Sequence, residues 1–288
     1  MKKYGFIGSL LLTAVVSTAV VAQPTTIESK PYEDHTFEKT AVKEGVPTRY
    51  PNLREADVKY SKRIQRDIDL RQKQNKILMW PRSHFGEFIY DAVTKNASGD
   101  PIFRAYKNDS FVSFYSASEI VGRAGTEEVI QIQDPLYPDD PYMVIDTTII
   151  TIYDPYKMKK VRLLEDWIFD HKHSVFFPRI IALAPLFQRD VSGIALPEEP
   201  MFWVKWDEVR NIFSQREVFN NFNDAARISY LDFFELRMFS SFIVKESNMY
   251  DFYIRDFEEF RDDGVAALLK GEEIKNNLFL FEHDLWEY

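Results

Sequence analysis

Residues 54–76 read READVKYSKRIQRDIDLRQKQNK, and whether this charged stretch is a helix or a strand decides what the rest of the chain is built around. Tyr60, Ile64 and Ile68 recur at every fourth position, with Lys62, Arg63, Arg66 and Arg71 mostly on the other sides. That interval fits one stripe of a helix. Asn52 stands where a side chain can cap it, and Glu55 completes a capping-box-like pair. The spacing predicts an amphipathic helix from Asn52 to about Asn75 with a narrow apolar stripe.

Downstream, a short apolar run at 77–80 ends in Trp80 and reads as a strand. Phe85, Phe88, Ile89, Ala92 and Val93 then mark a second helix by their helical spacing. PIFRAY at 101–106 is β-like, and Ser116 with Glu119 forms a capping box that opens a short helix. MVIDTTIITIY, a turn at Pro155 and the alternating VRLLEDWIFD together predict a β-hairpin across 143–169. FWVKW at 202–206 reads as an aromatic strand before a helix from Asp207, and Ser229 with Asp232 caps another helix through Phe233, Phe234 and Leu236. The order strand, helix, capped helix thus occurs twice, which suggests two related sub-lobes by internal duplication. The fold class expected is α+β, with mixed helices and antiparallel strands after a flexible N-terminal segment.

Upstream, residues 1–22 join Lys2 and Lys3 to an apolar run ending Val20, Val21, Ala22, the pattern of a secretory signal peptide cleaved after Ala22. Residues 23–50 mix Pro, Thr, Glu and Lys without apolar periodicity and read as an extended or disordered lead. The folded domain is expected over 51–288. VFFPRIIALAPLF at 175–187 carries Arg179 and two prolines and is too short to cross a bilayer as a helix. The reading is therefore a soluble, exported chain.

The chain contains no cysteine, which excludes disulfides, thiolate chemistry and an N-terminal lipid on cysteine. Attachment to the envelope would then need a partner. The formal charge is -9, and loss of Lys2 and Lys3 with the signal takes the balance to -11, which disfavours nucleic acid and anionic lipid as partners. No G-x-G-x-x-G, Walker A or G-x-S-x-G sequence is present, so the phosphate cradle and the nucleophile elbow are not encoded. One metal site is conceivable. Placed on a strand, His171 and His173 would share a face, with Glu165 or Asp166 nearby to complete a facial set for a metal-dependent hydrolase. The favoured reading is a polar strand end entering a turn, with no metal and no cofactor.

IKNNLFLFEHDLWEY closes the chain at 274–288. From Val265, the residues Leu268, Leu269, Ile274, Leu278, Phe281 and Leu285 keep roughly helical spacing, with Gly264 and Gly271 where the helix starts or bends. Glu282, His283 and Asp284 are consecutive on that helix, about 100° apart, and cannot converge on one ion. Leu278, Phe281, Leu285, Trp286 and Tyr288 are the candidate partner-binding residues, because rigid aromatics with polar tips suit a covered end.

Several stretches resemble the GldN/PorN proteins of gliding motility and type IX protein secretion in Bacteroidetes. They are RIQRDIDLRQKQN at 63–75, EDWIFD at 165–170, RIIALAP at 179–185, FNNFNDAARISYLDFFELRMFSSFIVKESNMYD at 219–251, and the last fifteen residues. The similarity runs from about Arg54 to Tyr288. It implies a non-enzymatic structural component in the periplasm, associated with the outer membrane through a GldK/PorK-like lipoprotein and self-associated with it in a ring complex. The periplasmic part of a GldM/PorM-like motor protein is a further implied partner. No catalytic residue and no cofactor are implied. The family's Lys/Arg-flavoured stretch after the DWxFD motif is replaced here by His171 and His173. The alternatives by other classes are the secreted hydrolase using His171 and His173, tested by stoichiometric metal in the purified protein, and a generic envelope binding module.

Overall fold

The computed structural model describes residues 42–94, 102–133, 144–151, 153–188, 190–191, 194–223 and 225–285. The expected signal peptide, most of the lead, and Trp286 and Tyr288 lie outside the described residues. The stretch at 54–76 is a strand. After a single 3-10 turn at Glu55–Asp57, β1 runs Val58–Asp69 as an inner strand of a six-stranded antiparallel sheet. The other strands are β2 (Lys160–Asp170), β3 (Val175–Phe187), β4 (Glu199–Pro200), β5 (Val204–Lys205) and β6 (Phe242–Glu246), in the order β4-β3-β2-β1-β6 with β5 also paired to β3.

The predicted helix fails for a specific reason. An interval of four is also a multiple of two, so Tyr60, Ile64 and Ile68 share one face of a strand as readily as one stripe of a helix. What selects the strand is the charge on the other face. The register sets Arg63 opposite Asp166, Asp67 opposite Arg162 and Asp69 opposite Lys160. The first two pairs are bidentate, at 2.8 and 2.9 Å for Arg63–Asp166 and 2.7 and 2.9 Å for Arg162–Asp67. Opposite charges directly across an antiparallel pair each contribute roughly 0.2–1 kcal/mol. In a lone helix, these charges would meet none of those partners.

The apolar face of the sheet is covered in two places. Ile68, Val161, Leu163 and Leu183 sit under the main core, built by α1 (Phe85–Thr94), α2 (Ala117–Ala124), α3 (Trp206–Phe213) and α4 (Tyr230–Glu235). Its centre is aromatic: Phe85 packs edge-on against Phe213 at 5.9 Å and Tyr230 at 5.4 Å. Ile64, Tyr60, Trp167, Phe169 and Phe176, further along the same face, lie under α5 (Gly264–Asp284). A smaller cluster of Tyr106, Leu164, Ala182, Ala184 and Trp203 covers part of the opposite face.

Periodicity and caps located the five α-helices of the described residues. Ser116 and Ser229 form the capping boxes expected of them, with Glu119 and Asp232 bonding back. The strands at 143–169 are present, but they do not pair with each other. Val144–Thr151 pairs with Thr126–Gln133, whereas β2 pairs with β1 and β3, so the Pro155 turn joins two different sheets. The 175–187 run is β3, two prolines included. PIFRAY contributes only Ala105–Tyr106 as strand, and Asn75–Met79 is a 3-10 turn rather than a strand. The duplicated order therefore lacks its first member, and the described residues belong to one compact unit.

Residues 42–50, the end of the expected lead, pack along α3. Val42 is buried, Ser214 Oγ donates to Gly45 O at 2.9 Å, and Arg210 Nη2 donates to Thr48 O at 2.6 Å. The Tyr50 hydroxyl donates to Glu235 and accepts from Trp206 Nε1, and burial followed by the Glu235 carboxylate pushes its pKa up to about 12.

Candidate interaction surface

Helix α5 begins where Asp263 accepts from the backbone N–H groups of Val265 and Ala266, at 2.9 and 3.1 Å. Seven residues on, it crosses β6 so closely that a Cβ on Gly271 would stand 2.6 Å from the Ile243 carbonyl oxygen. Only glycine permits that approach. The inward face carries Ala267, Ile274 and Leu278, all buried against Ile64, Phe176, Ile243 and Ile254. Phe281 stacks on Tyr60 at 4.5 Å and meets Phe176 edge-on at 5.4 Å, and Leu285 packs on the same cluster. Leu278, Phe281 and Leu285, expected to meet a partner, are thus turned inward and hold the helix on its own sheet.

The outward face is apolar as well. Val265, Leu268, Leu269, Phe279 and Leu280 are each between 45 and 66 % exposed. Leu268 and Leu269 were expected on the docking stripe, but Leu269 lies on the side away from the sheet and Leu268 at its margin, beside a cleft it lines with Arg162 and Tyr253. The signal was present in the spacing: 268 and 279, like 269 and 280, are three helical turns apart and repeat on one side. Between these apolar pairs lie Glu272, Glu273, Lys275 and Asn276, with Lys275 Nζ 3.1 Å from Glu272 and Lys270 Nζ 2.9 Å from Glu273. A helix apolar on opposite sides belongs in a core on both sides.

His171 and His173 are not on a strand. They occupy the four-residue turn 171–174 between β2 and β3, where Ser174 takes a positive φ of 53°. His173 Nδ1 pairs with Asp170 Oδ2 at 2.6 Å, and the Lys172 backbone N–H donates to Asp170 Oδ1 at 2.9 Å. The His173 bond, ahead of the backbone ones, holds the Asp170 carboxyl below the usual carboxylate range. The carboxylates that would have completed a metal set are engaged elsewhere, Asp166 with Arg63 and Glu165 with two arginines. Among the described residues, no group of three His, Cys, Asp or Glu side chains is placed to hold a metal ion.

Glu165 marks the seam between the two apolar clusters. It is fully buried, in direct ion-pair contact with Arg66 and 2.7 Å from Arg237 Nη1, and both guanidinium groups lie over the Trp167 ring at 5.9 and 5.4 Å. Burial, and then repulsion from Arg237 set against attraction by Glu165, leaves the Arg66 pKa below its ordinary value. Arg237 reaches the seam from a residue with φ of 54°, a conformation that side chains with a Cβ adopt at a cost of roughly 1–2 kcal/mol. Beside β6, a cleft of about 610 Å³ is lined by Asp67, Lys160, Arg162, Glu198, Tyr253 and, from α5, Leu268 among others. Its Asp67 is tied to Arg162 and its Glu198 to Lys160, an arrangement that stabilises the sheet edge. No described helix is long and apolar enough to cross a membrane.

The family model for the gliding motility associated protein GldN matches residues 53–287, a range that includes β1 through α5. No curated protein sequence matches the chain. With a match over most of its length, the chain belongs to the GldN family of gliding motility and type IX secretion components.

Proposed function

We propose that the protein is a non-enzymatic scaffold subunit of the type IX secretion and gliding machinery. In this reading it is exported to the periplasm by residues 1–22 and held at the inner face of the outer membrane by a GldK/PorK-like lipoprotein. The two proteins form a ring, which a GldM/PorM-like motor protein contacts from its periplasmic part. The observation that carries the reading is the family match, because it spans every helix and every strand of the main sheet. The absence of cysteine supports it, since a chain that cannot carry a lipid of its own needs a tethered partner.

The test is capture of the tagged protein from detergent-solubilised envelope, followed by imaging of what comes with it. A large assembly containing a lipoprotein is the expected result, and fractionation with the outer membrane should disappear in a strain lacking that lipoprotein. Retention on the membrane without the lipoprotein would overturn the tethering.

A further inference from the structure

We propose that a second copy of this chain covers the outward face of α5, the two helices packing antiparallel about a two-fold axis over Ile274. The argument is the order of side chains along that face. Reading inward from both ends, apolar Leu268 and Leu269 answer Phe279 and Leu280, and acidic Glu272 and Glu273 answer Lys275 and Asn276. An antiparallel copy inverts the sequence. Leu268 then meets Phe279 of the second copy, and Leu269 meets its Leu280. Glu272 meets its Lys275, and Glu273 accepts from its Asn276. Each contact occurs twice, the requirement of an isologous interface. All of these residues are exposed, so the pairing needs no rearrangement of the inward face.

Other occupants fit less well. A lipid surface selects helices with Lys and Arg along the polar side, and this face carries two glutamates beside one lysine. An unrelated partner would place no mirror constraint on the charge order. Antiparallel pairing also sets opposite ends of the two helix dipoles side by side, which favours it further. The contact goes beyond the proposed scaffold role and does not rest on it: loss of lipoprotein binding would leave the pairing intact, and a monomeric chain could still bind the lipoprotein.

The chain has no cysteine, so single cysteines report the contact without background. In the paired state, residue 269 faces residue 280 of the other copy, whereas the two copies of residue 269 lie about 15 Å apart, beyond disulfide reach. Purified Leu269→Cys and Leu280→Cys proteins, mixed and mildly oxidised, should give a cross-linked dimer, and neither should do so alone. Sedimentation of the unmodified protein should show a monomer–dimer equilibrium in the micromolar range. Leu269→Glu/Phe279→Glu should raise its dissociation constant at least tenfold with the melting temperature of the monomer unchanged. Lys275→Glu and Glu272→Lys should each pair weakly with themselves and pair with each other when mixed, which the Glu272–Lys275 bond within one chain cannot produce. A chain that stays monomeric throughout, cross-linking of each single variant with itself, or an outward face that instead binds vesicles or the lipoprotein in a monomeric protein would each overturn the proposal.

Discussion

Glu165 holds one negative charge between two positive ones in a place that water does not reach. Ions in such a place are kept charged by each other, and removing the glutamate leaves Arg66 buried without compensation beside the half-buried Arg237. Glu165→Gln keeps the shape and removes the charge, stranding Arg66 and Arg237 together over Trp167. The expected loss is about 3–5 kcal/mol, measured by urea denaturation followed by circular dichroism. A loss below about 1 kcal/mol would mean that water enters the seam and screens the two guanidinium groups. Replacing all three charged residues with apolar ones of similar volume should be far better tolerated than the single change. None of this is legible locally, because the two arginines come from β1 and from the end of α4, 72 positions beyond the glutamate in the second case.

At the scale of elements, glycine separates two kinds of helix position. Gly271 lies in the middle of α5, and alanine there would favour an isolated helix by roughly 1 kcal/mol. The Ile243 carbonyl at 2.6 Å decides otherwise. Gly271→Ala has to lift the helix from β6, so the melting temperature should fall by several degrees. Gly122, in α2, has nothing within 4 Å of the added methyl, and Gly122→Ala should stabilise by about 0.5–1 kcal/mol. Thermal unfolding of the two variants beside the parent checks both signs; a stabilised Gly271→Ala would show that the crossing is looser than the structure has it. The helices were readable because caps and apolar spacing are local. Strand β1 was not, since its polar face is satisfied by residues 95 and 103 positions away, and the four-residue interval of its apolar side serves both periods. At the surface, the spacing placed α5 but not its orientation. Which of two apolar sides meets the sheet depends on Gly271 and on the edge of β6.

For the whole molecule, the sheet matters more than either cluster. Both apolar clusters rest on the same face of β1, β2 and β3, so a defect under α5 should be felt in the aromatic core under α3 and α4. Leu278→Ala removes a buried side chain and should cost roughly 2–5 kcal/mol. The far-ultraviolet signal and the tryptophan fluorescence should then shift together to a lower temperature in one transition. Separate transitions would mean that α5 and the strands beneath it form an independent unit.

The inner strand β1 is also the first main-sheet strand to be synthesised and one of the last to be completed. Arg66 waits for Ser241, 175 positions later, and at about 5–20 residues per second that interval lasts roughly 10–35 s. Both edges of β1 are open to other unfinished chains until β2 follows, with partners 95 and 103 positions on, and the edge that β6 takes stays open throughout. Lys59, Lys62, Arg63, Arg66, Asp67 and Asp69 make the waiting strand a poor template for aggregation, because intermolecular pairing would bury charges with no assured partner. The residues that make β1 look wrong for the inside of a sheet are the ones that let it wait.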